Sequence, residues 1–290
     1  MIKIITKLAG SALALGALSI TTHASATPSG ALIINEWNAV SSSEMLDDCK
    51  DSPAQGDQFF GCQNGNGGNW IELIVTQNNL NIQGWTVAWK NNDSGGHPNN
   101  GSFTFSNDSL WASLKAGTII TVHDNGSAGY STLYSGNPCS DHKWWIDVDV
   151  LNTTYIASSS LFFGTTLLGS GFKTDNDCWR GMIKDNASTV VQNWVGENTS
   201  CGSIPAAIWA GAGLGNLEVG KLEANPAGGT SDTNYKDGDS GTFGGPNAWT
   251  GGGPQSLDAL CNNACGGSNG CCGTPGNYGC YTAAANHYYY

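Results

Sequence analysis

The chain is 290 residues long, with 41 glycines, 11 tryptophans and only 12% charged residues. Its net charge is −12 and Arg180 is its only arginine, a balance that repels polyanions and excludes nucleic acid as a partner, leaving divalent cations, uncharged polysaccharide or another surface protein. So few charges also leave little material for long amphipathic helices, and the composition is that of an all-β protein.

Residues 1–26 carry Lys3 and Lys7, an apolar run from Leu8 to Ile20, and Ala24-Ser25-Ala26 as a small-residue cleavage site. This is the pattern of a secretory signal peptide cut near Ala26. The run falls short of the ~20 apolar residues that span a bilayer. The expectation is therefore a secreted, periplasmic or extracellular protein that is not an integral membrane protein.

Strands follow in series. Ala31 to Val40 reads as the first, and a Gly/Asn/Asp-rich loop follows it. Asn69 to Gln77 alternates, with Ile71, Leu73 and Val75 on one side and Trp70, Glu72 and Ile74 on the other. NIQGWTVAW puts Trp85, Val87 and Trp89 on one face, and SFTFS and Ala116 to Asp124 continue the series. Weaker strands lie at WWIDVDVL and SLFFG. CWRGMIKD and STVVQNWVG form a hairpin across Asp185-Asn186-Ala187, and PAAIWAGAGLGNLEVGKLE fits either a short helix or a buried strand. Short strands at this spacing predict an antiparallel β-sandwich, in which each strand buries one face and wets the other. Residues 250–290 form a Gly-rich linker and a Cys-rich tail.

Ten cysteines in an exported chain predict disulfides that staple long loops. Cys49, Cys62, Cys139, Cys178 and Cys201 lie in the body, and Cys261, Cys265, Cys271, Cys272 and Cys280 in the tail. Both groups are odd in number. Complete pairing within the molecule therefore requires a bridge from body to tail.

INEW at Ile34 to Trp37, NWIEL at Asn69 to Leu73, IQGW at Ile82 to Trp85, FTF at Phe103 to Phe105, AGTIITV at Ala116 to Val122 and FGGPN at Phe243 to Asn247 follow one another in an order that resembles the lamin-tail domain of exported bacterial proteins. The resemblance implies an immunoglobulin-like antiparallel β-sandwich over 27–249, with an insertion around 125–179, and supplies no catalytic residues.

Candidate chemistry is sparse. Gly238-Asp239-Ser240-Gly241 spells the setting of a serine-protease nucleophile, but His97, His123 and His142 lack the sequence context of its base. Asp232, Asn234, Asp237 and Asp239 form an acidic loop whose oxygens suit Ca2+, or which simply turns the chain. Asp147 and Asp149 share a strand face, read as the wet one. Glu36 and Glu72 form a carboxylate pair if their strands pair, the arrangement of a glycosidase, although both belong to the fold's own pattern. Trp89, Trp111, Trp144, Trp145, Trp194, Trp209 and Trp249 exceed the evident needs of a core, and Trp144-Trp145 is the best candidate for stacking on sugar. The leading expectation is a non-enzymatic exported module for surface, matrix or adhesion-type interactions, requiring no cofactor beyond stabilising Ca2+. Carbohydrate binding through Trp and Tyr is the alternative.

Overall fold

The computed structural model describes residues 29–49, 56–92, 98–124, 145–163, 165–176, 178–196, 214–226, 234–247, 249, 255–257 and 260. Residues 1–26, His97, Cys139, His142, Trp144, Cys201, Trp209, Asp232 and the five tail cysteines lie outside them.

Among the described residues twelve strands run in chain order: β1 (Leu32–Asn38), β2 (Trp70–Val75), β3 (Thr86–Asn92), β4 (Pro98–Phe105), β5 (Ile119–His123), β6 (Trp145–Asp149), β7 (Ile156–Phe163), β8 (Thr166–Gly169), β9 (Arg180–Lys184), β10 (Val190–Gly196), β11 (Val219–Leu222) and β12 (Tyr235–Gly238). They make two six-stranded sheets, the first ordered β12-β11-β1-β2-β5-β6 and the second β10-β9-β3-β4-β7-β8. This is the expected all-β sandwich. Every pairing is antiparallel except β5 with β6, which are parallel and separated in sequence by residues 124–144. Parallel neighbours need such a crossover.

The stretch read as an insertion is part of the framework. β6 closes one edge of the first sheet, and β7 and β8 close an edge of the second. The expected hairpin is β9 to β10, and Asp185 organises its turn by accepting from the amides of Ala187 and Thr189 at 2.9 and 2.8 Å. Of the ambiguous 205–223 segment, the described end is a strand, β11.

Large aromatics fill the space between the sheets. Trp37 of β1 stacks on Trp179 with centroids 5.2 Å apart, and Trp89 and Phe103 both meet Phe172 edge to face. A β-bulge between Ile34 and Glu36 sets what faces this core. Ile34 and Trp37 are three residues apart, so in an uninterrupted strand they would face opposite ways. The extra residue turns both inward, since Ile34 packs toward Gly181 of β9 and Trp37 onto Trp179. The polar groups of Ile34 then cross the core. Its N–H donates to Gln192 Oε1 at 2.7 Å, its carbonyl accepts from Tyr235 Oη at 2.7 Å, and Gln192 Nε2 donates to Tyr235 Oη at 2.9 Å. Burial raises the Tyr235 phenol's pKa.

One expectation is corrected. β1 and β2 are buried along their whole lengths, not wet on one face. The outer face of the first sheet is roofed by the β1–β2 loop and the chain after Ser240, which enclose a second apolar cluster of Val40, Leu46, Phe60, Trp70, Val219 and Phe243. Cys49–Cys62 is the disulfide that staples the loop. Cys178 is also disulfide-bonded. Beyond Trp249, Leu257 and Leu260 lie in the main core.

Candidate functional site

The same bulge turns Asn35 and Glu36 outward, under the roof. β1, β2, β5, β6 and β11 pair so that Lys221, Glu36, Glu72, Thr121 and Asp147 stand in one register row across the outer face of the first sheet. All are buried. Glu36 and Glu72 are direct cross-strand partners, so the pairing expected of the two glutamates is present.

The closing segment descends onto this row. Glu36 accepts from the Thr242 amide at 3.2 Å and from Thr242 Oγ1 at 2.9 Å. Glu72 accepts from Asn35 Nδ2 at 2.7 Å and from the Gly244 amide at 2.8 Å. Asn247 is the hub: its Nδ2 donates to the carbonyls of Asn35 and Leu222, each at 2.9 Å, and its Oδ1 accepts from Asn35 Nδ2 and Thr242 Oγ1 at 3.1 Å. Gln255 Nε2 donates to Asn35 Oδ1 at 2.9 Å and to the Ala224 carbonyl at 2.8 Å. From the loop side, Asp57 accepts from the amides of Phe59, Phe60 and Phe243.

Burial dominates the electrostatics. It raises the Glu36 carboxyl to about 8, reinforced by the charge of Asp57 and opposed by Lys221 and the Thr242 hydrogen bonds. Burial likewise raises Glu72 well above the usual carboxylate range, with the charge of Glu36 adding to it, and raises Asp57 against three backbone hydrogen bonds. Hydrogen-bond geometry agrees independently. Thr242 Oγ1 has one hydrogen and two acceptors in reach, Glu36 Oε2 and Asn247 Oδ1. A protonated Glu36 that donates to Thr242 Oγ1 satisfies both, because the hydroxyl is then free to donate to Asn247.

At the far end of the row, Asp147 accepts from Thr121 Oγ1 at 2.6 Å, and its Oδ2 lies 3.4 Å from His123 Nε2. Asp147 is 4% exposed, so it does not occupy the wet face expected for it. Its face does point away from the sandwich, but the roof covers it. Burial lowers the pKa of His123, yet the hydrogen bond and charge of Asp147, with the charges of Asp149 and Asp124, outweigh it and hold the imidazole above its usual value.

The other candidates fall in different places. Ser240 Oγ receives Lys221 Nζ at 3.2 Å, and the same ammonium reaches the Ser240 carbonyl and lies 3.8 Å from Glu223. His123 is committed to Asp147, at the opposite end of the row. Trp145 is half-buried in the roof, donating to Thr121 Oγ1 at 2.7 Å and meeting Phe59 and Phe243 edge to face. Asp237 stands in β12 opposite Gly220, Asp239 is exposed and Asn234 half-buried. Among the described residues no cluster of His, Cys, Asp or Glu is arranged to hold a metal.

Sequence reasoning found Glu36 and Glu72 but missed their partners Asp57, Thr242, Asn247 and Gln255. The signal for Asn35 was the odd spacing of Ile34 and Trp37. The rest have no local signal, because their partners are up to 220 residues away. The chain matches no family model and no curated protein.

Proposed function

We propose that this chain is an exported, non-catalytic, lamin-tail-like module that presents its sandwich to surface, matrix or adhesion-type partners. The observation that carries the reading is the convergence of the motifs. Glu36 of INEW, Glu72 of WIEL and Asn247 of GGPN meet in one hydrogen-bonded clasp with no solvent exposure. A glycosidase needs its carboxylates on either side of a substrate bond, whereas these hold the chain's own closing segment. The signature thus reads as scaffold. The Cys49–Cys62 disulfide supports an oxidising compartment, and among the described residues no helix is long and apolar enough to cross a membrane.

Fractionation of the producing cell tests the reading: the mature chain, starting near Thr27 with its cysteines oxidised, is expected in the surface, periplasmic or medium fraction. Uncleaved chain in the cytoplasm with free thiols would overturn it. Calcium stabilisation through Asp232, Asn234, Asp237 and Asp239 belongs to the same reading. Saturating Ca2+ should then raise Tm, as any ligand of the native state alone must, and an unchanged Tm removes the metal.

A further inference from the structure

The two outer faces of the sandwich differ in a way that total charge conceals. The strands of the first sheet hold Glu36, Glu72, Asp147, Asp149 and Asp237, under or beside the roof. The strands of the second sheet contain no Asp or Glu at all, and hold Lys90, Arg180 and Lys184.

Register places all these cations on the outer side of the second sheet. Val87 and Trp89 of β3 face the core, so Thr86, Ala88 and Lys90 face out. Arg180 pairs with Lys90, Met182 with Ala88 and Lys184 with Thr86, which carries the outward face onto β9. In the other direction Lys90 pairs with Asn100 and then Phe162, Ala88 with Ser102 and Ser160, and Thr86 with Thr104 and Ser158. The face is therefore a set of parallel rows. One row runs Lys184, Thr86, Thr104, Ser158, and the next ends in Ser102 and Ser160. Thr86 and Thr104 hydroxyls touch at 3.0 Å and those of Ser102 and Ser160 at 3.4 Å. Trp194 of β10 lies on this side with the Lys90 ammonium 5.5 Å from its ring centroid, a cation–π contact that holds the charge in place.

We propose that this face binds a linear polysaccharide bearing carboxylates, of the uronic-acid class. Lys90 and Lys184 lie four residues apart in register along β3, about 13 Å at the usual strand rise, and supply charge-assisted hydrogen bonds to two carboxylates of one strand of glycan. The Thr and Ser rows between them both donate and accept, as sugar hydroxyls require. Arg180 is 1% exposed and does not reach the ligand. The net charge of −12 does not oppose this. The acids of the first-sheet strands sit at or under the roof on the opposite side of the sandwich, and through solvent, where the Debye length is about 8 Å at physiological salt, exposed charges that far away are largely screened. The uncharged polymer expected from total charge is thus replaced by an acidic one, because the acids of the strands all lie in the first sheet. This inference deepens the proposed function and rests on it.

Isothermal titration of the full-length mature protein with polygalacturonate, a neutral glucan and single-stranded DNA tests it. Polygalacturonate is expected to bind, weakening with salt, and the other two are expected to bind at least tenfold more weakly. Lys184→Glu and Lys90→Glu should each lower the affinity about tenfold or more, the scale of one charge-assisted contact. Lys236→Glu changes net charge equally on the other sheet and should alter affinity less than about twofold, being screened. Lys184→Gln, which keeps the stem, repeats the loss if the glutamate variant folds poorly. Equal losses for Lys236→Glu and Lys184→Glu, or DNA binding as tight as polygalacturonate, would overturn the proposal. So would no binding to polygalacturonate; exported, disulfide-bonded protein with that result leaves the module reading standing and removes only this ligand.

Discussion

Asn247 shows what the closing motif does at the level of one side chain. It is buried, and its amide ties the closing segment to the backbones of β1 and β11 and to the side chains of Asn35 and Thr242. An alanine there removes a donor from two buried carbonyls, leaving that of Leu222 only a long contact from Gln255 Nε2 at 3.5 Å, and each under-satisfied group costs about 1–3 kcal/mol. Asn247→Ala should lower the unfolding free energy by about 2–5 kcal/mol in urea titration; a loss below 1 kcal/mol would mean that water replaces the amide at little cost. Glu36→Gln is expected to act oppositely. The Gln amide reproduces the protonated carboxyl as a donor to Thr242 Oγ1 and carries no charge to bury. At pH 9, where a carboxyl with a pKa of about 8 is ionised, the substitution should stabilise by about 3–5 kcal/mol, the rise from 4.5 to about 8 taken at about 1.36 kcal/mol per pKa unit. At pH 5 it should be close to neutral. A variant destabilised at both pH values would show that ionised Glu36 is the form the clasp needs.

Strands differed in how plainly the sequence announced them. β2, β3 and β5 carry enough alternating or continuous apolar residues to be read directly, and the Asp185 turn was written in its own hairpin. Nothing local in the sequence marks β8 and β12 as strands. Each has four residues and one partner strand, too short for a period of two to stand out. β8 exposes both Leu167 and Leu168, whereas β12 embeds Tyr235 in a stretch composed like a turn. The roof and the clasp were illegible for a different reason, being contacts between segments that nothing local connects. β11 illustrates the packing such contacts demand. A Cβ at Gly220 would lie 2.1 Å from Trp37 Cζ2, so β11 can approach β1 beside that indole only without a side chain. Gly220→Ala should displace Trp37 from Trp179 and cost about 2–4 kcal/mol, as overpacking and lost stacking combine. Near-ultraviolet circular dichroism would report the displaced indole, and an unchanged spectrum and Tm would mean that the two strands can spread apart.

Across the whole molecule, the buried acids and the histidine bias stability in the same direction. Burial raises Glu36, Glu72, Asp57 and, at the end of β5, Asp124 above their usual carboxylate values, while Asp147 and its neighbours raise His123. A group whose folded pKa exceeds its unfolded one binds protons more tightly in the native state. Stability then falls with rising pH between the two values. For Glu36 that interval runs from 4.5 to about 8, and for His123 it begins at 6.5 and extends upward. The contributions are fully present below the unfolded pKa values and are lost as pH passes the folded ones. Tm measured at constant ionic strength should therefore decline steadily from pH 5 to pH 9, by about 2–4 °C for each kcal/mol lost in a domain of this size. Glu36→Gln should flatten the part of the decline between pH 6 and 9 and leave the His123 component. A Tm that rises over this range would mean that the row holds its carboxylates ionised, compensated by Lys221, and that the clasp is an ion-pair network rather than a protonated one. The decline is also directional within the molecule. Its cause lies under the roof of the first sheet, so amide exchange should accelerate with pH first at Thr242, Phe243 and Gly244, whose amides the carboxylates accept, and later, beyond the intrinsic pH dependence of exchange, in β3 and β4, where no strand residue is an acid.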